Sequence, residues 1–241
     1  MSLPRELTQR VVAALVRRLD LHERRDRARA LDLTAPGQPA ALLRGWGGGP
    51  LDRLVVVEAD APGIGLEFAM VAAFAPSTGA LPHLLVEVVA SPGGLTLFVD
   101  LCQRVDVGGE LGWIDAAWTP LTAAHVAAFE AEGVAPAALN HRLRALLGPW
   151  TIAARCDEAA LRGALGRSVD AYVEHWLGLV ERGLPAAITA DLDPAALAAR
   201  DRRYRAALFS ADVDPIWRRL EGLFGAEGAG ALQSRLRGDD G

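Results

Sequence analysis

The segment that decides the fold is Pro82–Leu101, PHLLVEVVASPGGLTLFVDL, in which two apolar runs flank a Ser-Pro-Gly-Gly turn. Each run has the length and composition of a β-strand, and the turn is too short to hold a crossover helix. The two runs are therefore expected to pair as antiparallel strands. Similar runs precede the segment and are joined to it by short links rich in Pro and Gly. Together the runs predict a four-stranded meander over residues 53–101, with strands at Arg53–Glu58, Leu66–Phe74, Leu84–Val89 and Leu95–Leu101.

The part of the chain before the meander is expected to begin with helices, within residues 1–33. Apolar side chains recur at a helical period over residues 5–19, and a second helix is expected from about Leu21 to Leu31. The stretch Thr34–Pro50 is rich in Pro and Gly and is expected to be a loop. Beyond the meander, the mixed region Leu111–Leu147 gives no clear pattern, and Pro149–Ala154 is expected to add an edge strand.

The C-terminal part, residues 157–237, has helical patterns with start signals. Ser168 is expected to cap a helix that runs to Glu181, after a shorter helix at Asp157–Leu165. Asp193-Pro194 and Asp214-Pro215 each combine a capping residue with a proline at a first helical position. They predict helices that end near Phe209 and at Gly225. Helices on both faces of one antiparallel sheet predict an α+β fold, an α/β/α sandwich, in a single domain over residues 1–241.

Composition narrows the range of functions. The chain has 241 residues, 51% of them hydrophobic, and a formal net charge of -5, which argues against a nucleic-acid binder. No apolar run reaches the ~18 residues needed to span a bilayer. The stretch Met1–Leu33 carries several acidic residues, unlike a transit peptide, and lacks the apolar run of a signal peptide, so a cytoplasmic protein is expected. Cys102 and Cys156 give neither a disulfide framework nor a metal-ligand spacing. All 25 basic residues are arginine, so no lysine can form a Schiff base or complete a P-loop.

Acidic residues within apolar patterns are the candidates for chemistry. Glu87 lies within LLVEVVA and shares a strand face with His83, because side chains alternate along a strand. It either points to solvent or lines a polar pocket, where burial would raise its pKa and suit a proton donor. Asp100 ends its strand and is either a local cap or a site residue. Asp201, in ARDRRYRAAL, is either a solvated helix acid or a site residue.

The arginines around Asp201 also allow two interpretations. Arg200, Arg202, Arg203 and Arg205 form either a solvated helix face or a surface that binds an acidic partner or ligand carboxylates. The five histidines offer no triad with metal-ligand spacing, so no metal site is expected.

Three segments in fixed order resemble the red chlorophyll catabolite reductase family, within the superfamily of ferredoxin-dependent bilin reductases. The first is Pro82–Leu101, with one Glu in the first strand and Val-Asp-Leu ending the second. The second is AYVEHWLGLV, Ala171–Val180. The third is ARDRRYR, Ala199–Arg205, followed by ADVDPIWRRLEGLFGAE at Ala211–Glu227. Together these matches span about residues 54–230, and the exclusive use of arginine is typical of a bacterial member.

The resemblance implies an antiparallel sheet between helical layers, with a linear tetrapyrrole held between the sheet and the C-terminal helices. It implies no bound cofactor, flavin or metal, and reduced ferredoxin as the electron donor. Matched residue by residue, Glu87 and Asp201 would be catalytic acids on two sides of one pocket. His83, Asp100 and Arg205 would bind substrate, and a homodimer is compatible with the pattern. The substrate would be red chlorophyll catabolite or a related bilin, reduced at a methine double bond.

Two other functions remain compatible with the sequence. A tetrapyrrole carrier without a redox step would have the same pocket. A structural or interaction protein would have a solid core between sheet and helices, with Glu87 in solvent. His83 stands where plant members of the family have a non-ionisable residue, which makes altered protonation or an altered substrate a further expectation.

Overall fold

A computed structural model describes residues 2–24 and 40–239 of the chain. One eight-stranded sheet forms its centre, in the order β1-β2-β3-β4-β5-β6-β8-β7, and every neighbouring pair is antiparallel. The strands are β1 His22–Glu23, β2 Ala40–Gly48, β3 Leu51–Ala61, β4 Leu66–Phe74, β5 His83–Ser91, β6 Gly94–Cys102, β7 Val134–Pro136 and β8 Ile152–Cys156. The meander over residues 53–101 is thus confirmed as β3 to β6.

Nine α-helices lie in the described part of the chain. They are α1 Leu3–Leu19, α2 Leu111–Ala117, α3 Thr122–Glu130, α4 His141–Leu146, α5 Glu158–Ala160, α6 Gly166–Arg182, α7 Ala186–Thr189, α8 Pro194–Leu208 and α9 Ile216–Arg237. A π-helical turn, Leu161–Leu165, joins α5 to α6. Asp193 caps α8 as expected, since its carboxylate accepts the backbone N–H groups of Ala195 and Ala196.

The sheet separates two hydrophobic cores. One face, with Val86, Val88 and Leu97, packs against helices that include α1 and α6. The opposite face, with Met70 and Leu85, packs against α4, α8 and α9. Neighbouring residues of β5 belong to different cores because strand side chains alternate between faces. This layering confirms the expected α/β/α sandwich and puts Glu87 on the face covered by the C-terminal helices.

Several local expectations were wrong. Ala40–Gly48 is strand β2 and not loop, because its backbone pairs along β3 and Trp46 is buried despite the neighbouring glycines. His22–Glu23 is a short strand, and the rest of the helix expected over residues 21–31 lies outside the described residues. The strand after Pro149 is not an edge strand, because β7 pairs with its outer side.

The C-terminal helices also differ from expectation at two points. Ser168 does not start a helix. The π-helical turn leads directly into α6, and the Ser168 hydroxyl donates to the carbonyl of Ala124. Gly225 ends the first helical segment of α9, as expected, since its φ of 74° and ψ of 169° are not helical; a second helical segment, which was not expected, continues to Arg237. A positive φ is readily adopted by glycine, which explains the kink at this residue.

Candidate active site

A cavity of about 300 Å³ lies between the sheet and the C-terminal helical layer. This volume is at the lower end of the range for small-molecule sites. Most of its wall is apolar, and the polar side chains come from the sheet and from the segments around α4 and α9. The lining residues are Met70, Leu85, Glu87, Thr96, Phe98, Ala137, Ala138, Leu139, Asn140, Leu143, Ala153, Leu208, Phe209, Asp214 and Pro215.

Glu87 stands at the floor of this cavity. In the sheet register it lies opposite Met70 of β4 on one side and opposite Phe98 of β6 on the other. Its carboxyl group therefore emerges between apolar side chains. Burial raises the pKa of Glu87 well above its ordinary value, and the negative charge of Asp214 raises it further.

Asp214 reaches the same cavity from the turn that precedes α9. Its Oδ1 accepts the backbone N–H of Ile216 at 2.9 Å, which fixes the carboxylate at the start of the helix. Burial raises the pKa of Asp214, while the bond from Ile216 and the charge of Arg219 lower it. The proline after it sets the backbone for the first helical turn. The local sequence thus places a second acid at the cavity wall.

The two acids of the cavity have different environments. Asp214 has a backbone donor and a nearby arginine to stabilise its negative charge, whereas the apolar neighbours of Glu87 stabilise none. Two carboxyl groups in one poorly hydrated site do not both ionise readily, so the proton stays on the less stabilised one. The arrangement therefore favours the proton on Glu87 over Asp214, which suits Glu87 to the role of general acid.

Asp201 does not line this cavity, so the expectation that it shares a pocket with Glu87 was wrong. It lies on α8 seven residues before Leu208, the first α8 residue to line the cavity, which is roughly 10 Å of helix. Asp201 is instead 2% exposed and belongs to a buried ion-pair cluster with His83, Arg104 and Arg205. The local sequence around Asp201 is rich in arginine and did not indicate that the Asp201 side chain is buried.

His83 has a defined tautomer in this cluster. Its Nδ1 lies 3.0 Å from the backbone nitrogen of Ala75, which can only donate, so Nδ1 accepts. Nε2 therefore carries the proton and donates to Asp201 Oδ1 at 2.7 Å. Burial lowers the pKa of His83 to about 4, and the charge of Arg104 also lowers it. His83 is thus a neutral hydrogen-bonding group at neutral pH and does not line the cavity.

Two arginines complete the cluster. Arg205 Nη2 lies 2.7 Å from Asp201 Oδ2, and its guanidinium stacks over the ring of Phe74 at 5.4 Å. Arg104 donates to the carbonyls of Leu81 and Ser77 in the β4–β5 connection. Burial alone would raise the pKa of Asp201, but the bond from His83 and the two arginine charges lower it overall.

The cluster has a structural consequence. It joins α8 to the beginning of β5 and to the loop before β5, and so fixes the helix that carries Leu208 to the cavity. With His83 neutral, two arginine charges face one aspartate charge, which leaves one net positive charge buried on this face of the sheet. Arg205 was expected to bind substrate. Its Nη2 forms an ion pair with Asp201 instead, and the side chain does not line the cavity.

Asp100, also expected to bind substrate, lies in β6 on the same face as Glu87. It is 1% exposed and stands opposite Leu85. Its Oδ1 lies 2.7 Å from the hydroxyl oxygen of Thr151. Burial raises the pKa of Asp100 to about 7, against the opposing effect of the bond to Thr151. The side chain is close to the cavity wall without lining it.

A second cavity of about 350 Å³ adjoins the first. The two share the lining residues Ala137, Leu139 and Ala153, so the segment 137–139 separates them. Thr151 and Arg144 provide side-chain polar groups of the second cavity. Nothing in the sequence indicated this neighbouring space, because it is formed by residues from the poorly patterned middle region.

Over residues 2–24 and 40–239, no three or more His, Cys, Asp or Glu side chains are grouped so that they could hold a metal ion. In the same part of the chain, no helix has both the length and the apolar character that a membrane span requires.

The fold and the cavity define an α/β/α protein with an acid pair between its sheet and its C-terminal helices. The chain shares this fold with the crystal structure of phytochromobilin synthase from tomato in complex with biliverdin. The match has a TM-score of 0.76 and 16% sequence identity, and it covers 97% of this chain and 82% of that chain. At this identity the similarity establishes the fold alone. No protein-family model matches the sequence, and no curated protein matches it.

Proposed function

We propose that the protein is a ferredoxin-dependent reductase of a linear tetrapyrrole, with the cavity of Glu87 and Asp214 as its substrate site. The observation that carries the proposal is a half-buried carboxyl group of raised pKa in a largely apolar cavity, on a fold shared with a biliverdin complex. The resemblance of Pro82–Leu101 and the later segments to red chlorophyll catabolite reductase supports the same activity.

The proposed reaction adds two electrons and two protons to one methine double bond. Reduced ferredoxin supplies the electrons one at a time, and the first gives a pigment radical anion. Glu87 donates a proton to this species, since a carboxylic acid of raised pKa holds its proton at neutral pH and releases it to a stronger base. Water supplies the second proton. Asp214 keeps Glu87 protonated between turnovers by its negative charge.

The cluster around Asp201 supports this reaction indirectly. Its net positive charge, buried on the same face of the sheet as Glu87, favours a ligand that becomes negatively charged. We assign Asp201, His83 and Arg205 positioning roles: they hold α8 in place and contribute this field. The red chlorophyll catabolite itself and a related bilin are both compatible with the apolar cavity as substrate.

The acidic electron donor is proposed to dock near the cavity mouth. Arg219 is close enough to Asp214 to lower its pKa, and Arg218 beside it is exposed. Arg142 and Arg144 are exposed on α4, whose residue Leu143 lines the cavity. These four arginines lie on α4 and α9, next to residues that line the substrate site, and their positive charge attracts an acidic partner. Arg202 and Arg203, by contrast, lie on the helix that carries the distant Asp201.

The test is incubation with candidate linear tetrapyrroles, ferredoxin and its reductase, followed by mass spectrometry of the pigment. We expect one pigment to gain the mass of two hydrogens, only when the enzyme and reduced ferredoxin are both present. A pigment that binds tightly and keeps its mass under these conditions would indicate carriage and contradict the reductase. Binding of no pigment would contradict both.

A further inference from the structure

Asp100 and Thr151 form a hydrogen-bonded unit inside the wall that separates the two cavities. Asp100 lies opposite Leu85 and two residues from Phe98, and both of these line the first cavity. Thr151 lines the second cavity. The unit therefore connects the surroundings of Glu87 to a space that solvent can enter.

The hydroxyl group of Thr151 has two acceptors and one proton. Its oxygen lies 2.7 Å from Asp100 Oδ1 and 2.7 Å from the carbonyl oxygen of Gly148. When Asp100 is ionised, the hydroxyl donates to it. When Asp100 is protonated, its O–H can donate to Thr151, which then donates to Gly148, so that no donor is lost. Both protonation states of Asp100 are accommodated by rotation of one hydroxyl group.

The second carboxyl oxygen of Asp100 is buried and has no hydrogen bond of good geometry among the described residues, although the Cys102 thiol and the backbone of Gly148 and Leu101 lie near enough to the carboxyl group to lower its pKa. A buried carboxyl oxygen without a partner is costly in a folded protein. Glu87 lies opposite Phe98, which makes Asp100 its diagonal neighbour on the same sheet face. Diagonal neighbours in antiparallel sheets have Cα atoms roughly 7–8 Å apart, a gap that one water molecule and two carboxyl side chains can bridge.

We infer that Asp100 and Thr151 form a proton relay that reloads Glu87 from the second cavity after each turnover. The inference rests on the proposed function. Glu87, ionised after donating its proton, receives the proton of Asp100 through one water molecule. Asp100 then takes the hydroxyl proton of Thr151, while the Thr151 oxygen takes a proton from water in the second cavity. Bulk solvent replaces that proton, so Thr151 is unchanged over the cycle.

The surrounding titratable groups leave Asp100 as the one that changes state. Burial raises the pKa of Cys102, beside it on β6, and of Tyr204 on α8. Burial raises the pKa of Tyr172 on α6 as well. All three remain protonated at neutral pH, whereas the pKa of Asp100, about 7, lets this residue both gain and lose a proton there.

The first test follows the relay without any substrate. Infrared spectroscopy after a rapid drop from about pH 8 to about pH 6 measures how fast Asp100 becomes protonated, with D100N to assign its band. We expect T151V, which removes the hydroxyl, to slow this step about tenfold, and T151S to restore it. Equal rates in T151V and wild type would overturn the relay. T189V is the matched control, because Thr189 is exposed at the end of α7, lines neither cavity and is expected to leave the rate unchanged.

The second test separates the relay from a structural role. In a single turnover begun with Glu87 protonated, T151V should match wild type, whereas its steady-state kcat should fall about tenfold with KM unchanged. A fall of both rates together, or of neither, would contradict the relay. If wild type reduces no pigment, the proposed function has failed, and the infrared rates still decide whether the relay exists. T151S should keep the wild-type thermal stability and restore kcat.

Discussion

Glu87 and Asp214 come from opposite layers of the protein and line one cavity, where the charge of Asp214 raises the pKa of Glu87. Glu87 is in the sheet, and Asp214 precedes the last helix. Their environments differ: the N–H of Ile216 stabilises the negative charge of Asp214, whereas apolar side chains surround Glu87 and favour its protonated form. The pair is the feature from which a proton-donating function follows.

The E87Q variant tests the proton donor. The amide keeps the shape of the side chain but has no acidic proton, so turnover should fall about 100-fold or more, as is usual when a general acid is lost. Pigment affinity should change less than about threefold, because the apolar wall supplies most of the binding. Steady-state kinetics and an absorbance titration measure the two effects. E221Q, at an exposed position of α9, is the control; wild-type turnover in E87Q would remove Glu87 from the mechanism.

The D214N variant tests the coupling between the two acids. Removing the negative charge should lower the pKa of Glu87, because nothing then opposes its ionisation except burial. Activity requires protonated Glu87 and declines as pH rises through that pKa, so this decline should move to lower pH by roughly one unit. The pH profile of kcat gives the shift. D212N changes an exposed acid two residues earlier and should leave the profile unchanged; a shift in D212N as large as that in D214N would contradict the specific pairing.

His83 should make the fold sensitive to acid. Its pKa is about 4 in the folded state and about 6.5 when unfolded, so below pH 6.5 the unfolded chain binds a proton that the folded chain does not. The stability contribution is therefore complete above pH 6.5 and falls as pH decreases towards 4. At pH 4.5 the loss from this residue should be roughly 2–3 kcal/mol.

Urea unfolding of H83Q and wild type at several pH values measures this effect. The loss of unfolding free energy between pH 7 and pH 4.5 should be smaller in H83Q, since glutamine does not titrate. H141Q, at an exposed position, should retain the wild-type loss. An identical pH dependence in H83Q and wild type would show that His83 is not the residue that destabilises the protein in acid.

Charge reversal at the cavity mouth tests the docking of the electron donor. R218E and R219E should each raise the apparent KM for ferredoxin several-fold and reduce its dependence on salt, because an acidic partner loses an attractive charge. R202E and R203E on α8 are matched controls with exposed side chains. A larger effect in the α8 variants would place the electron donor there instead.

The fold was largely predictable because its deciding segments carry local signals. Strands β3 to β6 have apolar runs with turns too short for helices, and α8 has a capping aspartate followed by proline. Strand β2 was missed because the four glycines around Trp46 are typical of a loop, and only pairing along β3 makes the segment extended. The π-helical turn before α6 likewise depends on packing and has no sequence signal of its own.

The candidate site was predictable only in part. Glu87 was recognisable as a candidate because a carboxyl group inside an apolar strand is costly to bury without a partner. The Asp214-Pro215 pattern predicts the start of a helix, and α9 does begin there. No local pattern indicates that this helix start faces Glu87. The resemblance implies Asp201 as the second acid, yet packing places it in an ion-pair cluster with His83 and Arg205. Convergence of distant segments is decided by tertiary structure.

A crystal structure of the protein with bound biliverdin tests the central claim most directly. We expect the pigment between the sheet and α9, with the Glu87 carboxyl within hydrogen-bond distance of a pyrrole or lactam group and Asp214 beside it. A pigment bound elsewhere, with the cavity of Glu87 empty, would contradict the assignment of this acid pair to tetrapyrrole chemistry.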